Sequence, residues 1–168
     1  MGKKAKPRTR RDYYHDTDAP KPTSRQPSAS AVVRDRDGRV LMLRRVDNGL
    51  WTIPTGRLKM NETISQCAIR ECLEETGIEI EVTGLVGVFS DPVHVIAYYR
   101  GENLHEVRQP VNVCLHARPT GGNLTSSHDE ASEVHWFGSD ALNTLDIHRA
   151  IRRRVTHALT DGVQPLVD

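Results

Sequence analysis

The chain has 168 residues, 23 Lys/Arg against 22 Asp/Glu, and three cysteines. That length suits one ordinary domain with a tail. No apolar run approaches the ~20 residues of a membrane-spanning helix, and no hydrophobic segment follows the basic N-terminus as a secretory signal requires. Cys67, Cys72 and Cys114 show neither metal-finger spacing nor the even count of a disulfide framework. The expectation is a cytoplasmic protein with small buried thiols and no membrane partner.

Charge is spread unevenly. Residues 1–30 hold eight Lys/Arg and three Asp, while the remainder carries 15 basic and 19 acidic side chains. Residues 1–29 are rich in charge, Pro and Ser, a composition that buries too little apolar surface to order itself. They are expected to form a solvated tail with Tyr13 and Tyr14 as its points of attachment. The alternative is an electrostatic arm for nucleic acid. The tail reading is preferred because Tyr13 and Tyr14 alone offer stacking platforms.

The domain is expected over residues 30–160, with a C-terminal tail at 161–168. Ala31-Val32-Val33 and Val40-Leu41-Met42-Leu43 flank Asp37-Gly38, which predicts a hairpin. Arg44 and Arg45 end its second strand, where a planar guanidinium could meet a phosphate. Leu50–Ile53 is a short strand into Pro54. A helix is predicted over Glu62–Gly77, with Ile64, Cys67, Ala68 and Cys72 on its apolar face and Gly77 as its left-handed cap.

Strands follow at 78–82, 85–89, 94–99 and 111–117, with Gly101 and Pro110 bounding a loop and a turn at Pro119–Gly122. After a polar loop at 123–132 comes a strand at 133–137. A last helix spans about His148–Leu159, with Ile147, Ile151, Val155 and Leu159 facing inward and Arg149, Arg152, Arg153 and Arg154 read as an exposed face. Strands and helices do not alternate regularly, so an α+β mixed sheet flanked by helices is expected.

The chemistry concentrates on the first helix. Glu71, Glu74 and Glu75 lie at i, i+3 and i+4 and share one face. Unpartnered, such like charges weaken a helix. A hard divalent cation, which takes oxygen ligands, converts the repulsion into a binding site.

Gly56, five residues, Glu62, seven residues, then Arg70-Glu71-Cys72-Leu73-Glu74-Glu75-Thr76-Gly77-Ile78 closely resembles the signature of Nudix hydrolases, G-x5-E-x7-R-E-U-x-E-E-x-G-U with U aliphatic. The opening hairpin, Trp51-Thr52-Ile53-Pro54 and the late Glu133-Val134-His135-Trp136-Phe137 strengthen the likeness, which covers roughly residues 30–160. There are departures: Thr55 and Asn61 stand where glycines are common, and Cys72 replaces an aliphatic residue.

The resemblance implies an α/β/α sandwich around a mixed sheet. It also implies Mg²⁺-dependent cleavage of a nucleoside diphosphate linked to a moiety X, giving a nucleoside monophosphate and phospho-X. Mn²⁺ is the alternative ion. Glu71 and Glu75 become the principal metal ligands, Glu74 a supporting one, and the backbone carbonyl of Thr55 a further one. Arg70 would orient a carboxylate, with Glu62 in a supporting position. Glu130 and Glu133, with Asp129 nearby, are the candidates for general base, and Arg44 and Arg45 for substrate contacts. RNA 5′-pyrophosphate removal and a non-catalytic nucleotide sensor are the competing readings, and a homodimer is left open.

Overall fold

Helix α1 runs Ile64–Thr76 in the computed structural model, which describes residues 8–168. Its ends are set by local chemistry. The Thr63 hydroxyl accepts the Gln66 N–H at 3.2 Å while the Gln66 side chain accepts the Thr63 N–H at 2.8 Å, a reciprocal cap. Gly77 closes the helix at φ 73°, packed so tightly that a β-carbon would overlap the Asn123 carbonyl and the Thr125 hydroxyl.

The long strand β8 (Asn103–Gly122) is the spine of the larger sheet. Along its length it pairs antiparallel with β7 (His94–Arg100) and β6 (Ile78–Phe89) and parallel with β2 (Ser24–Val33). The short β5 (Thr55–Arg57) lies on the other edge of β2, β1 (Arg8–Tyr14) on the outer edge of β7, and β10 (Leu166–Val167) beside β6. A second sheet orders β4 (Trp51–Thr52), β3 (Val40–Arg45) and β9 (Ala131–Phe137).

Alternation along β2 divides the core. Ala29, Ala31 and Val33 face Cys67, Ala68 and Cys72 of α1. Val32 faces the opposite layer, where Leu142 of α2 (Ser139–Leu142) and Val155 and Ala158 of α3 (Arg149–Leu159) pack. Helices therefore cover both faces of a mixed sheet, as expected. The three cysteines are buried and unbridged.

Several expectations give way. Residues 31–33 and 40–43 do not form a hairpin. The Asp35 carboxylate does close the turn, accepting the N–H groups of Asp37 and Arg39, but β2 and β3 then enter different sheets, touching through the single bridge Arg34↔Val40. One edge of β2 is held by β8 from Ser24 to Val33 and the other by β5 at Ser28–Ser30 only, and β3 pairs instead with β4 and β9. Pro110 lies inside β8 rather than at the border of a loop. It falls between the end of the β7 pairing at Arg108 and the start of the β6 pairing at Asn112, where a missing N–H breaks no bond on that edge. Gly121 and Gly122 pair with β6 instead of turning.

Order also begins before Ser30. Strand β1 uses residues of the expected tail, with Tyr13 packed beside Val95, Ala97 and Val107. Residues 1–7, the start of the expected tail, lie outside the described residues. The C-terminal segment is docked as well, since the Asp168 carboxylate takes Arg153 at 2.6 and 3.0 Å and the N–H groups of Ser90 and Asp91. No helix among the described residues is long and apolar enough to cross a membrane.

Candidate active site

Glu71, Glu74 and Glu75 line one end of a cleft of about 950 Å³ between the helix α1 and the two sheets. Arg70 organises this end. It donates to Glu62 through Nε and Nη2 at 2.6 and 3.0 Å, and through Nη1 to Glu71 at 2.6 Å and Glu74 at 3.1 Å. Glu62 sits before the helix and also accepts the Lys59 N–H at 2.9 Å, so it ties the entering loop to Arg70. That hydrogen bonding, Arg70 first, holds the Glu62 carboxyl down at about 2.

Gly56 is required by contact. A β-carbon there would occupy the space of the Glu71 carboxylate. Asn61 takes φ 62°, a left-handed conformation that Asn tolerates better than most side chains, which accounts for glycine being common there. Thr55, the other departure, binds its neighbours from both ends: its N–H reaches Glu75 at 3.0 Å and its hydroxyl donates to the Ala29 carbonyl at 3.2 Å.

Glu75 is 7% exposed. Burial raises its carboxyl to about 8, and the nearby charges of Glu71 and Glu130 add to the rise, against the Thr55 N–H and Arg45. Glu71 is shifted upward too, because burial outweighs its bond to Arg70. One guanidinium thus serves Glu62, Glu71 and Glu74, and the buried Glu75, beyond its reach, holds its proton up to about pH 8 unless a cation takes the proton's place. That donor set, oxygen-only and net negative, fits a hard divalent cation.

Glu130, Asp129 and Arg45 also line the cleft. Arg45 is clamped by Asp47 at 2.6 and 2.8 Å. Arg44 and Glu133 do not line it. They stand opposite one another across β3 and β9 and pair at 2.9 Å on the exposed side. Strand alternation sends Arg45 into the cleft and Arg44 away.

Reading by sequence missed Arg10, Asp12, His148 and Arg154, which line the other end of the cleft together with His94. Arg154 belongs to the set read as exposed, yet it is 5% exposed. The signal was present: Ala150, Arg154 and Ala158 recur at four-residue steps on the inner face of α3, and all three are buried. Arg10 and Asp12 carried no such signal, because their position depends on β1 pairing with a strand more than 80 residues away.

The family model of the NUDIX domain matches residues 24–159. The chain belongs to the Nudix hydrolase family. A MutT-like protein of Streptomyces ambofaciens is 32% identical over 126 residues, covering 75% of this chain and 72% of that protein. An NAD-capped RNA hydrolase NudC of Pseudomonas aeruginosa is 27% identical over 128 residues, 74% of this chain, which spans only 40% of that longer protein. A Nudix hydrolase of Nitrosomonas europaea superposes with a TM-score of 0.66 at 25% identity, over 85% of this chain and 76% of that one. The Nudix signature thus coincides with the glutamate end of the cleft.

Proposed function

We propose that this Nudix hydrolase is a Mg²⁺-dependent pyrophosphohydrolase of nucleoside diphosphates linked to a moiety X, releasing a nucleoside monophosphate and phospho-X. The observation that carries the reading is Glu75, a buried carboxyl lining the cleft beside Glu71 and Glu74, which burial keeps protonated and which a divalent cation would ionise and bind. Glu71, Glu75, Glu74 and the carbonyl of Thr55 would hold the metal. When bound, the metal supplies charge neutralisation for the pyrophosphate and an acidified water.

The protein's own groups do the rest. Arg70 keeps Glu71 and Glu74 on one side of α1, so that their carboxylates are presented and not repelled. Glu130 lines the same cleft and is assigned as the general base, taking the proton of the attacking water. Glu133 is assigned a surface ion pair with Arg44. Arg45, already tied to Asp47, is assigned a contact to a substrate phosphate. Between a small molecule and RNA as substrate, the small molecule is favoured. Arg10, from the stretch whose alternative reading was a basic arm for nucleic acid, lines the cleft and is paired with Asp12.

A panel of nucleotide sugars, dinucleotides, nucleoside triphosphates and capped RNA, assayed with Mg²⁺, tests the reading. At least one compound is hydrolysed by the wild type, and Glu75→Gln nearly abolishes its turnover. Glu130→Gln lowers kcat by about 100-fold or more, within the usual range for a lost general base, while Glu133→Gln leaves it little changed. Equal turnover by wild type and Glu75→Gln would sink the site.

A further inference from the structure

The cleft carries opposite charge at its far end. Arg10 donates through Nε and Nη2 to the two oxygens of Asp12 at 2.7 and 2.8 Å. His94 Nε2 lies 3.3 Å from Asp12 Oδ1, and the rings of His94 and His148 stack with centroids 5.3 Å apart. Arg108 is occupied by Glu106 at 2.6 and 2.8 Å. Arg154 differs. Its buried Nε has no hydrogen-bond partner among the described residues, and the Phe89 ring centroid lies 5.5 Å from its guanidinium carbon. Burial lowers its pKa to about 10. A buried guanidinium short of an acceptor costs stability unless a ligand supplies one.

The ligand atoms of Asp12, His94 and His148 lie within 4.8 Å of one another, a spacing that could hold a metal ion. The surrounding charge opposes one. Arg10 already covers Asp12, and after burial itself, Arg10 and Arg154 are among the charges that push the His148 pKa down. A dication would have to displace the first guanidinium and face the second. An anion meets the opposite situation. His148 Nδ1 accepts the Ala150 N–H at 3.3 Å, so the neutral ring carries its proton on Nε2 and is a donor there.

We propose that this end of the cleft is an anion subsite, in which Arg154 and His148, backed by Arg10, receive a phosphate monoester carried by the substrate in addition to its pyrophosphate. The inference rests on reading the glutamate end as the pyrophosphate site. It selects, among nucleoside diphosphate derivatives, those that bear a further phosphate.

Two measurements test it. The first compares kcat/KM for substrates differing by one phosphate, NADH against NADPH and dephospho-coenzyme A against coenzyme A, with UDP-glucose against UDP-glucuronate as a carboxylate control. The phosphorylated member is favoured by about tenfold or more, the size expected of one charge-assisted bond. Arg154→Gln and, separately, Arg10→Gln collapse that ratio towards one. The second follows thermal unfolding in EDTA with inorganic phosphate, which raises the Tm of the wild type but less that of Arg10→Gln.

If nothing in the first panel is hydrolysed yet phosphate still stabilises the wild type more than Arg10→Gln, the subsite stands and the pyrophosphatase reading falls. If both members of each pair are cut equally and phosphate has no effect, the subsite is overturned and the pyrophosphatase reading survives. Preference for the carboxylate pair alone overturns it too. So does Zn²⁺ stabilisation that His148→Ala removes, which would mark a cation site.

Discussion

At the scale of single residues, the site is governed by where charge is buried. Glu75 and Glu62 belong to the same motif and shift in opposite directions, Glu75 up to about 8 by burial and Glu62 down to about 2 by Arg70. The raised value has a consequence for stability. A carboxyl that binds its proton more tightly in the folded state stabilises that state fully below its ordinary value near 4.5, and the contribution is lost as pH rises through about 8. His148, shifted down by burial, acts in the opposite sense, losing stability as pH falls below its ordinary value of 6.5. The difference between wild type and Glu75→Gln isolates the first effect. In metal-free buffer, the Tm of Glu75→Gln relative to wild type rises between pH 5 and pH 8. Added Mg²⁺ raises the wild-type Tm more at pH 8 than at pH 5, where protons compete for the carboxylate. A Tm difference that is flat with pH would contradict the burial of charge at Glu75.

At the scale of elements, α1 is a rigid platform clamped by the loop that precedes it. Thr63 and Gly77 set its ends, Arg70 ties it to Glu62 and to the Arg57 carbonyl at 3.2 Å, and Thr55 on β5 reaches Glu75. At Gly56 the strand leaves no room for a β-carbon beside the Glu71 carboxylate. Replacing it with Ala forces the Glu71 carboxylate aside without touching the apolar face of α1. Gly56→Ala is therefore expected to cut kcat by about 100-fold, the penalty of displacing a positioned group by about 1 Å, with a much smaller fractional loss in urea midpoint. Steady-state kinetics beside urea unfolding checks this; full activity would show that the close approach is not needed.

At the scale of the whole molecule, β1 is the unexpected part. It caps the edge of β7 and carries Arg10 and Asp12 to the cleft. Deleting residues 1–14 should lower the Tm, because the edge of β7 is exposed and Tyr13 leaves its packing against Val95, Ala97 and Val107. It should also raise KM for the preferred substrate more than it lowers kcat, since the glutamate end is built without β1. Unchanged Tm and KM would return this segment to the status of a loose tail.

The sequence by itself determined the local parts of this protein. Caps, helical period and the spacing of Gly56, Glu62, Arg70, Glu71, Glu74, Glu75 and Gly77 act within about 20 residues, so α1, its polar face and the family were all legible. Cys67, Ala68 and Cys72 pack inward as their spacing requires. Tertiary structure decided what depends on pairing between distant segments. The turn at Asp35–Arg39 looks like a hairpin locally, but β3 pairs with β4 and β9 while β2 pairs with β5 and β8. Which of Arg44 and Arg45 faces the cleft followed from the register of β3 against β9. The basic end of the cleft draws on β1, β7 and α3, joined only when β1 pairs with β7 and α3 packs beneath the sheet. Side chains that far apart carry no shared spacing, and only the fold makes them one surface.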